Sequence, residues 1–278
     1  MMAGLKIRAA ILSVLFLAVF LGAWQLATAP PGAMERELTE YEIMMGLGAG
    51  SGAGMPAPTE VFGLAWEELS RPFHDSGPND KGIGLQLMYS VGRVLAGFAL
   101  AVVVAVPIGF VIGMSPVLNN ALNPYIQILK PISPLAWMPL ALFTIKDAAT
   151  SAIFVIFICS IWPMLVNTAF GVASVKRDWL NVARTLELSS LRTALFVILP
   201  AAAPTILTGM RISIGISWLV IVAAEMLVGG TGIGYYVWNE WNNLDIAAVI
   251  FAIIMIGVVG MLLDAALAQA GRFLRYQE

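Results

Sequence analysis

Cysteine and histidine are nearly missing from this sequence: its 278 residues hold one of each, Cys159 and His74. A single cysteine excludes an intrachain disulfide and any C-x-x-C metal pair. His74 lies in a polar segment and Cys159 in an apolar one, so no intramembrane cluster of His, Cys and carboxylates marks a metal. Charge is scarce as well, at 12% Asp, Glu, Lys and Arg, against about 25% in soluble domains. No GxxxxGK phosphate loop occurs, so the chain does not hydrolyse nucleotide in that way. GTGIG at 230–234 lacks the preceding strand and following helix of a dinucleotide site. Nothing in this inventory points to catalysis, and no cofactor is expected on the chain itself.

What is abundant is apolar surface. The chain is 59% hydrophobic, with a mean hydropathy of +0.86. Runs long enough to cross a bilayer, which takes about 20 helical residues, fall near 9–28, 87–113, 122–145, 151–170, 203–228 and 246–271. We expect six transmembrane helices in one all-α integral membrane domain spanning 1–278, with one sizeable polar segment at 29–86. Lys6 and Arg8, then ILSVLFLAVFLGAW and ATAP, follow the order of a signal peptide; a retained helix is the expectation.

Charge sets an orientation. Segment 29–86 holds nine acids and three basic residues, leaving eight acids and twelve basic residues elsewhere. With six spans, Lys6, Arg8, Lys176, Arg177, Arg184, Arg192, Arg272 and Arg275 share one side, which the positive-inside rule makes cytoplasmic. Connection 229–245 has no Lys or Arg. Both termini and residues 171–200 are therefore expected inside, and 29–86 outside.

The external segment contains ERELTEYEIM, which reads as a surface helix, and GLGAGSGAG, a flexible tract. In PAPTEVFGLAWEEL, Thr59 is placed to cap a helix whose apolar face is Val61, Phe62, Ala65, Trp66 and Leu69. This helix suits the membrane interface, either as part of a linker or as a docking surface.

Prolines punctuate the spans. LKPISPLAWMPL in the third carries Pro131, Pro134 and Pro139. Each removes an amide donor and clashes with the preceding turn, and groups freed at membrane depth need protein or water partners. Pro131, Pro134 and Trp137 are thus candidates for lining a translocation path. Lys130, just before them, either pairs with an acid on another helix or offers its charge to a cavity. Arg93 and Glu225 lie toward the outer ends of their spans, Arg211 and Asp264 toward the inner ends. Both arginines are expected to snorkel to the interface. Glu225 and the following Gly229 and Gly230 form either an outer gate or a satisfied interfacial site. Small residues in GRVLAGFALAVVVAVPIG and GMRISIGISW permit close helix contacts, within a bundle or at a dimer seam.

NVARTLELSSLRTALFVILP at 181–200 interrupts two apolar runs. Val182, Ala183, Leu186, Leu188, Leu191, Leu195 and Ile198 recur at helical spacing, Ser189 and Ser190 suit a bend, and Pro200 suits the start of a span. Two short helices follow from this. Composition alone fits a helix lying on the inner leaflet; a peg for a soluble partner and a DNA-reading helix-turn-helix are the alternatives.

The segment resembles the cytoplasmic signature loop of permeases of binding-protein-dependent ABC importers: Glu-Ala-Ala, three residues, Gly, nine residues, Ile-x-Leu-Pro. Anchored on Leu199 and Pro200, Asn181, Val182 and Ala183 take the Glu-Ala-Ala positions, Glu187 the Gly and Val197 the Ile. Ala183, Leu199 and Pro200 match and the rest depart. PAPTEV, LNPYIQILKPISPLAWMPLALF and IVAAEMLVGGTGIGYYVWNEWNN are similar to the branch serving nitrate, bicarbonate, cyanate and sulfonates such as taurine, over about residues 56–271. SAIFVIFICSIWPMLVNTAFGV and NVARTLELS look most like nitrate and bicarbonate permeases, whose loops also lack the Glu and Gly.

The resemblance implies a type I importer permease: a six-span bundle paired with a second copy, two cytoplasmic ATPase subunits that bind ATP and Mg, and a periplasmic or lipid-anchored binding protein. It implies that Asn181, Val182, Ala183, Arg184, Leu186, Glu187, Leu188 and Pro200 form the element that couples to the ATPase. Nitrate is the first substrate expected, across a bacterial inner membrane, with bicarbonate, cyanate or a sulfonate as alternatives. A self-sufficient channel or ion-coupled transporter would show two related halves, and none is visible. A membrane scaffold would leave Lys130 and the three prolines unexplained.

Overall fold

The computed structural model describes residues 2–28, 55–77 and 80–274. ERELTEYEIM, GLGAGSGAG and Arg275 lie outside the described residues. The elements in order are α1 (Met2–Thr28), α2 (Pro58–Ser70), α3 (Ile83–Met114), α4 (Pro116–Leu129), α5 (Pro134–Ile145), α6 (Ala148–Ala173), α7 (Arg177–Thr185), α8 (Ser190–Thr193), a π-helical turn (Ala194–Ile198), α9 (Leu199–Val228), α10 (Ile233–Asn242) and α11 (Ile246–Leu274).

Among the described residues five helices are long and apolar enough to cross a membrane: Ile7–Thr28, Ile83–Met114, Ala148–Ala173, Ser190–Val228 and Ile246–Gly271. The expected third span, 122–145, is not one rod. α4 and α5 meet at 89°, and the chain has six spans if that bent pair counts as one. Pro131 lies in the break, and Pro134 takes the first turn of α5, where a missing amide costs nothing.

α3, α6 and α9 form the centre, and glycines set how closely they approach. A β-carbon at Gly97 would collide with Ile156, at Gly109 with Leu165 and Thr168, and at Gly113 with Ala169. Gly209 meets Asn167 and Pro163 in the same way. The small residues therefore serve packing within the chain, except at Gly92 and Gly215, which have nothing within 4 Å. Between α6 and α9 the hydroxyls of Ser160 and Ser217 lie 2.6 Å apart, and Ser213 donates to the Ser160 carbonyl at 2.8 Å. Buried polar side chains are thus bound across the seam, as membrane bundles require. α6 begins with Asp147, whose carboxylate accepts from the Thr150 amide at 2.7 Å; bonding by Thr150 holds that carboxyl below its usual range.

Three expectations need correction. Thr59 does not cap α2: Ala57 is the N-cap without a side-chain bond, and Pro58 opens the helix because its fixed φ is already helical. Only Val61 of the expected apolar face is buried; Phe62, Trp66 and Leu69 point outward. Pro200 takes the first turn of α9, as expected, but α9 runs on without a break from α8 and the π turn, so the apolar rod begins at Ser190 rather than at Pro200. The widened π turn just before Pro200 accommodates it, with Leu199 donating back to the Ala194 carbonyl. π turns of this kind mark local insertions in a helix.

Candidate functional site

The two ends of the α9 rod carry most of the candidate residues. At one end α7 stops in a Schellman motif. Glu187 N–H donates to the Arg184 carbonyl at 3.0 Å and Leu188 N–H to the Ala183 carbonyl at 3.1 Å, the paired bonds that close such a helix end. The motif needs a left-handed residue after the cap, and Glu187 supplies it at φ 52°. This is the position that aligned with the signature's glycine, so the loop keeps the glycine's backbone shape without the glycine. The Ser189 hydroxyl accepts from the Arg192 amide at 3.4 Å and opens α8. The structure shows one short helix and a bend, after which the second helix runs on through the π turn into α9.

Ala183 is buried beneath α7, while Val182 is 58% and Leu186 66% exposed. Asn181, Arg184 and Glu187 are exposed around them and Leu188 is half-buried. The loop therefore presents Val182 and Leu186, together with Leu191 of α8, as bare aliphatic side chains within a polar rim.

At the other end a buried polar cluster holds the turn 229–234. Glu225 is 2% exposed. Its carboxylate accepts from Ser90 Oγ at 2.7 Å, Arg93 Nη1 at 2.6 Å and the Gly234 amide at 3.0 Å. Arg93 also donates to the Thr231 carbonyl at 2.6 Å. Gln86 accepts from the Gly232 amide at 2.6 Å and Ser90 from the Ile233 amide at 2.9 Å. The amides of Gly232, Ile233 and Gly234, which open α10, thus find side-chain acceptors, as a buried helix start requires. Gly229 and Gly230 turn the chain at φ 75° and 94°, backbone that favours glycine. Side chains at Gly232 or Gly234 would overlap Glu225, and at Gly234 also the Val222 carbonyl.

Of the two readings open for Glu225, the satisfied site is the one with this geometry. Arg93 does not snorkel; it is the ion-pair partner of Glu225. Gln86 and Ser90 had not been singled out, although their spacing with Arg93 along α3 puts three polar groups on one helical face.

Arg211 does not snorkel either. Its Nε and Nη2 donate to the two Asp264 oxygens at 3.0 and 2.6 Å, across α9 and α11. The four charges within the expected spans pair at matching heights, Arg93 with Glu225 near one end of the bundle and Arg211 with Asp264 nearer the other. Their matched depths along the spans were the available signal.

Lys130 follows the last residue of α4, exposed at the 89° elbow, and among the described residues its ammonium has no hydrogen-bond or ion-pair partner. A cation there suits the carbonyl end of α4. Pro131 and Pro134 share the elbow, whereas Trp137 is half-buried against the core. No described hydrogen bond or ion pair joins the elbow to the Glu225 cluster. Among the described residues no group of three His, Cys, Asp or Glu side chains is placed to hold a metal.

Residues 105–276 match the family of binding-protein-dependent transport system inner membrane components. The chain belongs to this family. A nitrate import permease protein of Synechocystis sp. is 46% identical over 79% of this chain and 80% of its own length. That of Leptolyngbya laminosa is 40% identical over 94% and 86%. A bicarbonate transport system permease protein of Synechococcus elongatus is 42% identical over 79% and 80%. Among solved structures, an inward-facing MetNI methionine ABC transporter chain superposes with a TM-score of 0.60 at 12% identity, covering 68% of this chain and 94% of that one. It shares the fold. The expected six-span bundle of the type I importer kind holds, with its third span broken.

Proposed function

We propose that this chain is the permease subunit of an ATP-driven importer that carries a small inorganic anion, nitrate first, across the inner membrane by alternating access. The observation that carries this reading is the α7–α8 loop, a capped and rigid peg with Val182 and Leu186 bare. Apolar side chains on a polar helix contribute about 25 cal/mol per Å² once covered, and an ATPase groove is the cover that fits an importer component. Arg184 and Glu187 at the rim would set the register. Both termini and the loop lie in the cytoplasm, the chain works with a second copy, and two ATPase subunits hold the ATP and Mg. A binding protein delivers the anion to the opposite face.

The anion would meet Lys130 at the elbow, where the broken helix frees backbone amides and the N-terminal end of α5 adds positive potential. Nitrate is supported by the identity to nitrate import permeases; bicarbonate is the second reading, favoured by relatives nearly as similar. Uptake of labelled nitrate and labelled bicarbonate by a deletion strain, with and without the restored gene, separates them. Nitrate uptake that does not depend on the gene would remove the first assignment.

A further inference from the structure

We propose that Arg211 is an anion station inside the membrane, for a small planar oxyanion, and that Asp264 is the internal counterion that holds it between passages. The proposal rests on the importer reading for the identity of the anion and goes beyond it in naming a site that the loop and elbow do not include.

The two ion pairs within the expected spans differ in kind. Arg93 and Glu225 are enclosed, with Ser90, Thr231 and Gly234 taking further bonds, so that site has no room for a guest. Arg211 and Asp264 have side chains 47% and 49% exposed, and each makes its only described hydrogen bonds to the other. The pair lies toward one end of its spans but inside them: at about 1.5 Å per residue Arg211 is about 12 Å along α9 from residue 203, where the apolar run begins, and Asp264 about 10 Å along α11 from Gly271, where its run ends.

Charges exposed to hydrocarbon are costly, up to about 2.5–3.5 kcal/mol each at the centre of a span even on lenient scales, so this half-exposed pair does not face lipid tails. They open onto water or onto another protein surface. The exposed stripe of α9 around Arg211 is Pro204, Thr208 and Gly215, which are small or polar, with Ile212 and Leu219 to one side. α11 runs antiparallel beside it, fixed by Trp218 Nε1 donating to the Ile256 carbonyl at 2.9 Å. The ion pair therefore sits on a held pair of helices rather than on a loose tail.

The geometry of the bond suggests the guest. Asp264 presents two oxygens in one plane to the guanidinium fork. Nitrate or bicarbonate presents the same two-oxygen edge, and a guanidinium is suited to binding such edges in bidentate fashion. A passing anion can replace Asp264 in kind, and Asp264 can displace the anion afterwards. The carboxylate keeps the station from becoming a trap.

The test uses the permease purified with its ATPase, and labelled nitrate as the probe. Equilibrium binding is measured without the binding protein, and uptake is measured in proteoliposomes with it. Asp264→Asn should bind nitrate at least fivefold more tightly and release it more slowly, lowering maximal uptake. Arg211→Gln/Asp264→Asn keeps a neutral hydrogen-bonding pair between the helices. It should assemble at wild-type yield, lose the binding, and fall at least tenfold in uptake.

Equal nitrate binding by all three proteins would overturn the station. So would wild-type uptake by the doubly neutral variant, because the pair would then be a structural link only. A doubly neutral variant that no longer pairs with a second copy would also overturn it, making the ion pair an assembly device. Failure of the importer reading shows separately, as wild-type protein that moves no anion with its partners present.

Discussion

The two ends of the α9 rod are built on opposite terms. At the Glu225 end, polar groups are buried and the amides of Gly232, Ile233 and Gly234 that open α10 are bound by side chains of α3 and α9. At the Ser190 end, apolar side chains are bare and only the backbone of the loop is satisfied. One end is finished within the chain. The other is finished only when something covers Val182 and Leu186. On the proposed reading, the difference separates residues that hold the permease together from residues that would connect it to a motor.

Breaking the finished end should have the largest effect on stability. Glu225→Leu leaves the Arg93 guanidinium without its carboxylate, and an orphaned buried charge costs about 3–5 kcal/mol. Thermal unfolding of the detergent-solubilised complex should show a large fall, with Glu225→Gln falling less. Gly232→Ala drives a methyl group into the Glu225 carboxylate; overpacking of this kind costs about 1–3 kcal/mol, read by the same unfolding measurement. At the open end, Glu187→Gly should act in the other direction. It removes a side chain from left-handed backbone, a strain of about 1–2 kcal/mol, so the loop should exchange its amide hydrogens more slowly.

The smallest effect lies on the polar segment between α2 and α3. The Arg71 carbonyl and then Asp80 Oδ1, each 2.9 Å from the His74 ring, hold the imidazole above its ordinary pKa. A raised folded pKa gives stability that is present below the unfolded value and lost as pH rises through the folded one. Asp80→Asn should lower the His74 titration midpoint by NMR and leave both ends of α9 unchanged.

Much of this contrast could be read along the chain, and the unread part has a common cause. The amphipathic repeat of 181–200 and the bend at Ser189 and Ser190 are local patterns, and they appear where their spacing put them. The break at Pro131 and Pro134 was legible because proline acts on its own turn, although its 89° angle depends on packing. Arg93 and Arg211 were misread because their partners lie 132 and 53 positions away, beyond any local pattern. Glu187 hid the Schellman turn because glutamate gives no sign of left-handed backbone; only its place opposite the signature glycine did.

The most direct test of the open end is Leu186→Asp in the full complex, with ATP-dependent uptake of labelled nitrate measured in proteoliposomes. Leu186 is exposed in this chain, so the variant should insert and fold as wild type does. The expected result is permease present in the membrane at wild-type level, the ATPase no longer retained on purification, and uptake at background. Wild-type uptake with the ATPase still bound would contradict the assignment of this loop as the coupling element.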